Sequence, residues 1–412
     1  MRSWAAVPVV TLLDRGGRVQ IYDTVSRKVV PVGPAQGVAR LYACGITPYD
    51  ATHLGHAFTY VSVDLLVRAW LDAGLDVRYA QNVTDVDDPL LERAEATGDD
   101  WRRLASEQIE LYRSDLTALR VVPPAELTGV VDSIGAVVEL IQRLRERGAV
   151  YQLSGQEYPD WYFANPDAGP LVRGLDLDHK QALEIFAERG GDPDRPGKHG
   201  PLDCLVWRAE RPGEPAWDSA LGRGRPGWHV ECTAIALEHL GMAFDVQAGG
   251  SDLAFPHHPM CAAEATSLTG EPFAQAYLHT GMVGLDGTKM SKSLGNLVFV
   301  SRLIAAGHDP MAIRLVLLGQ HYRSDWEYNS HLLAAAEQRL ARWRAACARP
   351  SGPAAGPLLA EVRQALRTDL DAPSALTAID AWATDCLAGT DGDPAAPGLV
   401  GDLVDALLGI RL

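Results

Sequence analysis

Lysine is almost missing from this sequence. Of its 37 basic residues only five are lysine, at positions 28, 180, 198, 289 and 292. Positive charge as a whole is scarce, with 53 acidic residues giving a formal net charge of −16. Proteins that grip phosphate backbones draw much of their affinity from an excess of Lys and Arg, so this balance argues against a large polyanionic partner. Long apolar runs are absent too. The opening stretch MRSWAAVPVVTLLDRGG is broken by Pro8 and Asp14, is too short to span a membrane, and lacks a secretory signal pattern. Six cysteines, at 44, 204, 232, 261, 347 and 386, are scattered without the regular spacing of a disulfide framework. A cytoplasmic protein with reduced thiols is expected. No internal repeat or low-complexity run is present.

What is there reads as an α/β chain. Its 412 residues are 47% apolar, enough for several domains with real cores. After an irregular lead-in over 1–36, VARLYAC reads as a core strand. GHAFTYVSVDLLVRAWLDAG then carries apolar residues at helical spacing and stops at Gly74, and DVRYAQNVTDVDD reads as a second strand. Strand, helix, strand at this spacing predicts a parallel sheet. The pattern predicts the first half of a Rossmann-type sheet over 37–125 and an inserted connective region over 126–215. A second half follows over 216–281, then a loop-bearing segment over 282–335 and a short helical domain over 336–412. Ligands in such sheets bind at the carboxyl ends of the strands, here near Cys44, Asn82–Thr84 and Gly249–Asp252.

Three groups of residues carry chemistry. The first is His53-Leu-Gly-His56 at the start of the predicted helix. Free N–H groups and the helix dipole favour a phosphate there, and two imidazoles on one face could add hydrogen bonds. A zinc-binding histidine pair is the rival reading. The second is Lys289-Met-Ser-Lys292-Ser293. Two of the five lysines stand three apart in one glycine-flanked loop, GTKMSKSLGN. Compact mobile cations suit the neutralisation of charge on departing pyrophosphate. The third is Cys44 and Cys232 with His257 or His258. Two thiolates and one imidazole make a zinc site with an open fourth position. A free cysteine is usually a small buried hydrophobe, and Cys204, Cys347 and Cys386 are read that way. Asp85, Asp87 and Asp88 read as a solvated or capping loop rather than a magnesium site.

The stretches CGITPYDATHLGHA, NVTDVDD, PLDCLVWRAERPGEPAW, GRGRPGWHVECTAIALEHLG, GGSDLAFPHH and KMSKSLGN together resemble the class I cysteinyl-tRNA synthetases. The likeness is closer to their shortened relatives, the mycothiol-pathway cysteine ligases. It runs from about residue 37 to 330 and more weakly beyond, through DLDAPSALTAIDAW. ERGGDP (188–193) is similar to an insertion motif of the ligases, where a plain turn and a contact with the acceptor are equal readings. Residues 331–412 hold ten acidic and seven basic side chains, a poor surface for an anticodon stem.

The resemblance implies ATP-dependent joining of L-cysteine to the amine of glucosaminyl-inositol through a cysteinyl-adenylate, with Mg²⁺ accompanying ATP. A monomer is expected, with no nucleic acid or membrane partner. A truncated cysteinyl-tRNA synthetase and an inactive synthetase-like binding protein are the alternatives. The resemblance further implies zinc on Cys44, Cys232 and His257, and ATP phosphates met by His53, His56, Lys289 and Lys292. The cysteinyl-adenylate would lie among Cys44, Gly45, Ile46, Thr47, Thr59, Asn82, Val83, Thr84 and Trp228, with Gly250, Ser251, Asp252 and Val283 on the nucleoside side. A thiophilic metal would explain why a thiol opens a nucleotide-binding loop: it selects cysteine over serine by holding the substrate's sulfur. One departure stands out. Where the synthetases carry a carboxylate as fourth zinc ligand and a Glu after the histidine pair, this sequence has Cys261 and Pro259. Cys261 is expected to be a bystander, with a weak zinc ligand that substrate displaces as the alternative.

Overall fold

The computed structural model describes residues 1–412 apart from 7, 51, 156, 166–174, 176, 286, 290–295, 390 and 391, and apart from the side chains of 288 and 289. A hairpin, β1 (Gln20–Asp23) and β2 (Lys28–Pro31), precedes the first core strand, β3 (Val38–Ala43). Helix α1 (Leu54–Asp72), β4 (Asp76–Val83), α2 (Asp88–Thr97), α3 (Trp101–Ala118), β5 (Glu126–Gly129) and α4 (Val130–Glu146) follow. The insertion contributes β6 (Val150–Gln152), β7 (Trp161–Phe163), α5 (His179–Glu188), β8 (Cys204–Ala209) and β9 (Gly224–Pro226). The chain then returns through α6 (Trp228–Leu240), β10 (Phe244–Gly250), a 3-10 turn at Ser251–Ala254, α7 (His257–Thr269) and β11 (Ala274–Thr280). Strands β12 (Val283–Leu285) and β13 (Thr288–Lys289), helices α8 (Val300–Ala305) and α9 (Pro310–Leu318), and β14 (Trp326–Tyr328) lead into four helices. These are α10 (Ser330–Cys347), α11 (Ala355–Arg367), α12 (Ala372–Leu387) and α13 (Ala396–Leu408).

The central sheet is the expected parallel one, split by an insertion. Its order is β11-β10-β3-β4-β5, and every neighbouring pair is parallel. The chain winds from β3 outward through β4 and β5, then crosses back to lay β10 on the other side of β3. The winding direction therefore reverses between β3 and β10, and a crevice opens at their carboxyl ends. The first half of the sheet extends beyond the boundary expected at 125, because β5 pairs with β4 from Ala80↔Glu126 to Val83↔Gly129. The insertion proper is a four-stranded antiparallel sheet, β6-β7-β8-β9.

Helix α1 has no polar face to give to solvent. It is buried on all sides, because the sheet lies beneath it while α9 and α13 lie across it. A helix enclosed in this way has no solvent-facing polar stripe, and its polar residues Ser62, Asp64 and Arg68 are buried with the rest. The apolar side chains of α10–α13 join those of α1 and β3 in one core, and α10 runs across the boundary expected at 335.

Candidate active site

The crevice at the β3–β10 reversal is a cleft of about 1570 Å³. Cys44 is placed there by the sheet itself. Its N–H still pairs with the Ala248 carbonyl at 3.0 Å, one residue past the end of β3, so the thiol is delivered where the strand gives way to loop. Cys232 comes from α6 and His257 opens α7. The ligand atoms of Cys44, Cys232 and His257 all lie within 4.8 Å of one another, and all three residues are buried. Two thiols and an imidazole brought together out of water are a soft donor set that suits zinc, with a position left for a further ligand.

The two thiols share one proton between them. Burial pushes the Cys44 thiol well up, helped by its hydrogen bond with Cys232. Burial acts the same way on Cys232, but the Cys44 hydrogen bond and the charge of His257 overcome it and hold that thiol well below its ordinary range. A second layer of imidazoles lies behind the set. His258 Nε2 is 3.3 Å from Cys44 Sγ, His258 Nδ1 is 2.8 Å from His279 Nε2, and His279 Nδ1 is 2.8 Å from Thr24 Oγ1. His229 Nδ1 is 3.0 Å from His257 Nδ1, and the Trp228 ring stacks on His257 at 4.4 Å. Burial lowers the pKa values of His229, His258 and His279, so these rings stay neutral. Hydrogen-bonding groups placed behind the ligands in this way orient them toward a metal. Cys261 lies beside the set: its thiol donates to the His229 carbonyl at 3.3 Å, and its sulfur is 3.8 Å from His257 Nε2.

The nucleotide side is built on α1. His53 is its N-cap, its Nδ1 accepting from the Gly55 N–H at 3.1 Å, and the His56 ring stacks on it at 3.8 Å. Both line the cleft. Thr59, one turn on, shares a 2.8 Å hydroxyl contact with Thr280. Across the cleft, Asn82 Oδ1 accepts from the Gly45 N–H at 2.8 Å and from the Tyr42 hydroxyl at 3.1 Å. Its amide donates to Thr84 Oγ1 at 3.1 Å, and Thr84 donates to Glu231 at 3.1 Å. Asn82 and Thr84 thus brace the loop from Cys44 to Thr47 as well as facing the cleft.

Gly45 is required by this packing. A Cβ there would sit 1.6 Å from the Asn82 carbonyl oxygen. Gly45→Ala should therefore push the 44–47 loop off the β4 end and lower the activity of this cleft by about tenfold or more, since a misplacement of about 1 Å can cost a hundredfold. Activity within threefold of the parent would refute this.

Most of the sequence-predicted residues converge. Cys44, Gly45, Ile46, Thr47, Thr59, Asn82, Thr84, Trp228, Gly250, Asp252 and Val283 line the same cleft as the histidine pair and the metal set. Val83 is wholly buried and, like Ser251 in the turn after β10, is not on the cleft wall. Lys289 lies on β13, its side chain outside the described atoms, and Lys292 lies outside the described residues. Sequence reasoning did not assign Tyr42, His229 or His279. His229 stands three residues before Cys232 on α6 and Tyr42 two before Cys44 on β3, spacings that could have signalled them, whereas His279 arrives from β11 with no local signal.

Residues 31–338 match the family described as tRNA synthetases class I (C) catalytic domain. The L-cysteine:1D-myo-inositol 2-amino-2-deoxy-alpha-D-glucopyranoside ligase of Thermomonospora curvata is 59% identical over 422 residues, with 100% of each chain covered. Its namesake in Nocardiopsis dassonvillei is 56% identical over 412 residues, again with 100% of each chain covered. The chain belongs to this ligase family, within the class I (C) synthetases. For the fold alone, the methionyl-tRNA synthetase of Mycobacterium tuberculosis in complex with methionyl-adenylate is similar at a TM-score of 0.65 and 17% identity, over 90% of this chain and 92% of that one. As a member of the ligase family the chain is an ATP-dependent ligase in fold and class, and the switch-point crevice is where such a family would hold its nucleotide.

Proposed function

We propose that this protein ligates L-cysteine to the amine of 1D-myo-inositol 2-amino-2-deoxy-α-D-glucopyranoside (glucosaminyl-inositol), with ATP and Mg²⁺, in mycothiol biosynthesis. The observation that carries the proposal is the buried thiol and imidazole set in the cleft that holds the histidine-capped helix. It stands in a chain whose full-length relatives bear that ligase name.

In the first half-reaction the cysteine carboxylate attacks the α-phosphorus of ATP. An O–P bond forms, the bond to the bridging oxygen breaks, and pyrophosphate leaves. In the second, the acceptor nitrogen attacks the adenylate's carbonyl carbon. A C–N bond forms, the C–O bond to AMP breaks, and the amine gives up a proton. Zinc held by Cys44, Cys232 and His257 would supply a thiophilic site for the substrate sulfur, the chemistry that separates cysteine from serine.

His53, His56 and the N-terminal N–H groups of α1 bind phosphate oxygens. Lys289 and Lys292 offset the charge that develops on pyrophosphate. Gly45–Thr47, Asn82, Thr84 and Trp228 surround the aminoacyl part, Thr59 lies beside it, and Gly250, Asp252 and Val283 meet the nucleoside. The reading includes a cytoplasmic monomer with no nucleic acid partner. The acidic balance of the chain supports the last point, and no helix among the described residues is long and apolar enough to cross a membrane.

A divided reaction tests the proposal. Protein, ATP, Mg²⁺ and L-cysteine are mixed, and glucosaminyl-inositol is added to one half and cysteine tRNA to the other. The expected product is the cysteinyl amide of the sugar by mass spectrometry, with the tRNA uncharged. Charged tRNA beside untouched sugar would make this a short synthetase instead.

A further inference from the structure

The cleft has more room than its adenylate residues use. At about 1570 Å³ it exceeds the roughly 300–1,000 Å³ of an ordinary small-molecule site. Beyond the 44–47 loop it continues between two walls that none of the nucleotide motifs reach. One wall is α2 with the residue before it, where Asp87, Asp88, Glu92 and Glu95 line the cleft. The other is the inserted sheet, with Arg208 on β8, Arg225 on β9 and Glu214 between them.

This part of the cleft is acidic. Nine carboxylates line the cleft as a whole, at Asp87, Asp88, Glu92, Glu95, Asp99, Glu188, Asp192, Glu214 and Asp252, against three described arginines, Arg189, Arg208 and Arg225. Those arginines are already engaged. Arg225 Nε is 3.0 Å from Glu214 and its Nη2 pairs with Asp88. Arg208 meets Glu214 at 3.0 Å, and Arg189 donates to the carbonyls of Asp252 and Phe255. Asp99 and Asp192 are paired as well, with Arg103 and Lys198, but an excess of carboxylates remains, which would repel a phosphate-rich acceptor and draw in an ammonium.

Asp87 stands where this wall meets the metal set. One of its oxygens caps α2, accepting from the Asp88 N–H at 2.8 Å; burial pushes the carboxyl up to about 6, against the lowering pull of that N–H and of nearby Arg225, so it is still ionised at neutral pH. Arg225, only 4% exposed, is fixed from two sides and presents a rigid fork beside it. Tyr49 and Trp101, the latter with Arg102 over its ring at 4.3 Å, line the same stretch.

We propose that Asp87, with the Asp88–Arg225 pair beside it, forms the acceptor subsite, and that this subsite takes a small cationic amino-polyol and turns away a nucleic acid end. Asp87 receives the acceptor's amine and the Asp88–Arg225 pair its hydroxyls. The inference rests on the ligase reading above.

Asp87→Asn tests it, because Asn keeps a capping oxygen and removes only the charge. Amide formation is followed with glucosaminyl-inositol as the probe, beside cysteine-dependent ATP–pyrophosphate exchange. The acceptor KM should rise about tenfold or more, the loss of one charge-assisted hydrogen bond, while the KM for cysteine shifts less than about threefold. Glu92→Gln, further along α2, should raise the acceptor KM by a smaller factor. An acceptor KM that both variants leave unmoved, with amide still formed, would overturn the subsite alone. Pyrophosphate exchange without any amide from the wild-type protein would overturn the ligase reading and the subsite with it.

Discussion

Cys232→Ser should purify with less than about a tenth of the parent's zinc, and its cysteine-dependent pyrophosphate exchange should fall by at least about a hundredfold. Even outer partners of a metal site are worth 10- to 100-fold in affinity or activity, so an inner donor should exceed that range. Cys232 is buried with its sulfur within 4.8 Å of the Cys44 and His257 ligand atoms, so its loss leaves only two donors. A serine hydroxyl is too weak an acid and too hard a donor to replace it. Cys261→Ser is the matched control. The Cys261 thiol donates to the His229 carbonyl, which a hydroxyl can also do, so this variant should keep its zinc. Equal metal content in both variants, measured by atomic emission, would dismiss the three-donor site.

Asp64→Ala should lower the unfolding free energy by about 3–5 kcal/mol, the usual cost of removing one partner from a buried ion pair. Asp64, Arg68 and Arg314 are all buried. Arg68 Nε is 2.7 Å from Asp64 Oδ2, and Arg314 Nη2 contacts the same oxygen. Two guanidinium groups share one carboxylate, and the remaining charge is met by main-chain oxygens at the ends of two helices. Arg68 donates to the carbonyls of Asp405 at 2.8 Å and Arg120 at 2.8 Å. Arg314 donates to Leu408 at 2.6 Å and Leu119 at 2.7 Å. The C-terminal ends of α3 and α13 carry partial negative charge, which suits this arrangement.

Removal of Asp64 would leave both cations buried without a counter-charge. Urea unfolding followed by circular dichroism measures the loss, and a change under about 1 kcal/mol would contradict the account. The pH dependence has a definite sign. Burial alone would raise the Asp64 carboxyl, but Arg68 and Arg314 hold it below the ordinary value of 3.8. Its stabilising contribution is therefore complete above that value and is lost as pH falls through the lower folded one. The Asp64→Ala protein should lack that part of the acid-side decline.

The sequence made the catalytic centre legible because the residues there are few, chemically distinctive and close to turns. Cys44, the histidine pair at 53 and 56, and Cys232 each sit at the end of a strand or on the first turns of a helix, where local pattern is informative. The choice between His257 and His258 was not legible. Adjacent residues on a helix point about 100° apart, and only the packing of α7 turns His257 into the set and His258 back toward His279. The limit of the first half-sheet was missed for a similar reason. ELTG is short and has no alternation long enough to mark a strand, and only pairing with β4 makes it one. Asp85, Asp87 and Asp88 read as a solvated or capping loop, and Asp87 does cap α2; that Asp88 also pairs with Arg225 of β9 was not legible, because nothing in the sequence brings β9 to this turn.

The shared guanidinium cluster also bears on timing during synthesis. Helix α1 is made early, yet the oxygens that complete the shell around Arg68 and Arg314 belong to Asp405, Ala406 and Leu408. A ribosome that has finished the whole nucleotide-binding sheet has not yet supplied them. Domains commonly fold in the order they are made, but here the catalytic half must wait with a cationic, unfilled flank until the last helix arrives. Pulse-labelled nascent chains arrested before residue 396 should stay protease-sensitive across α1, and the site built on its first turn should assemble only after α13 has been added.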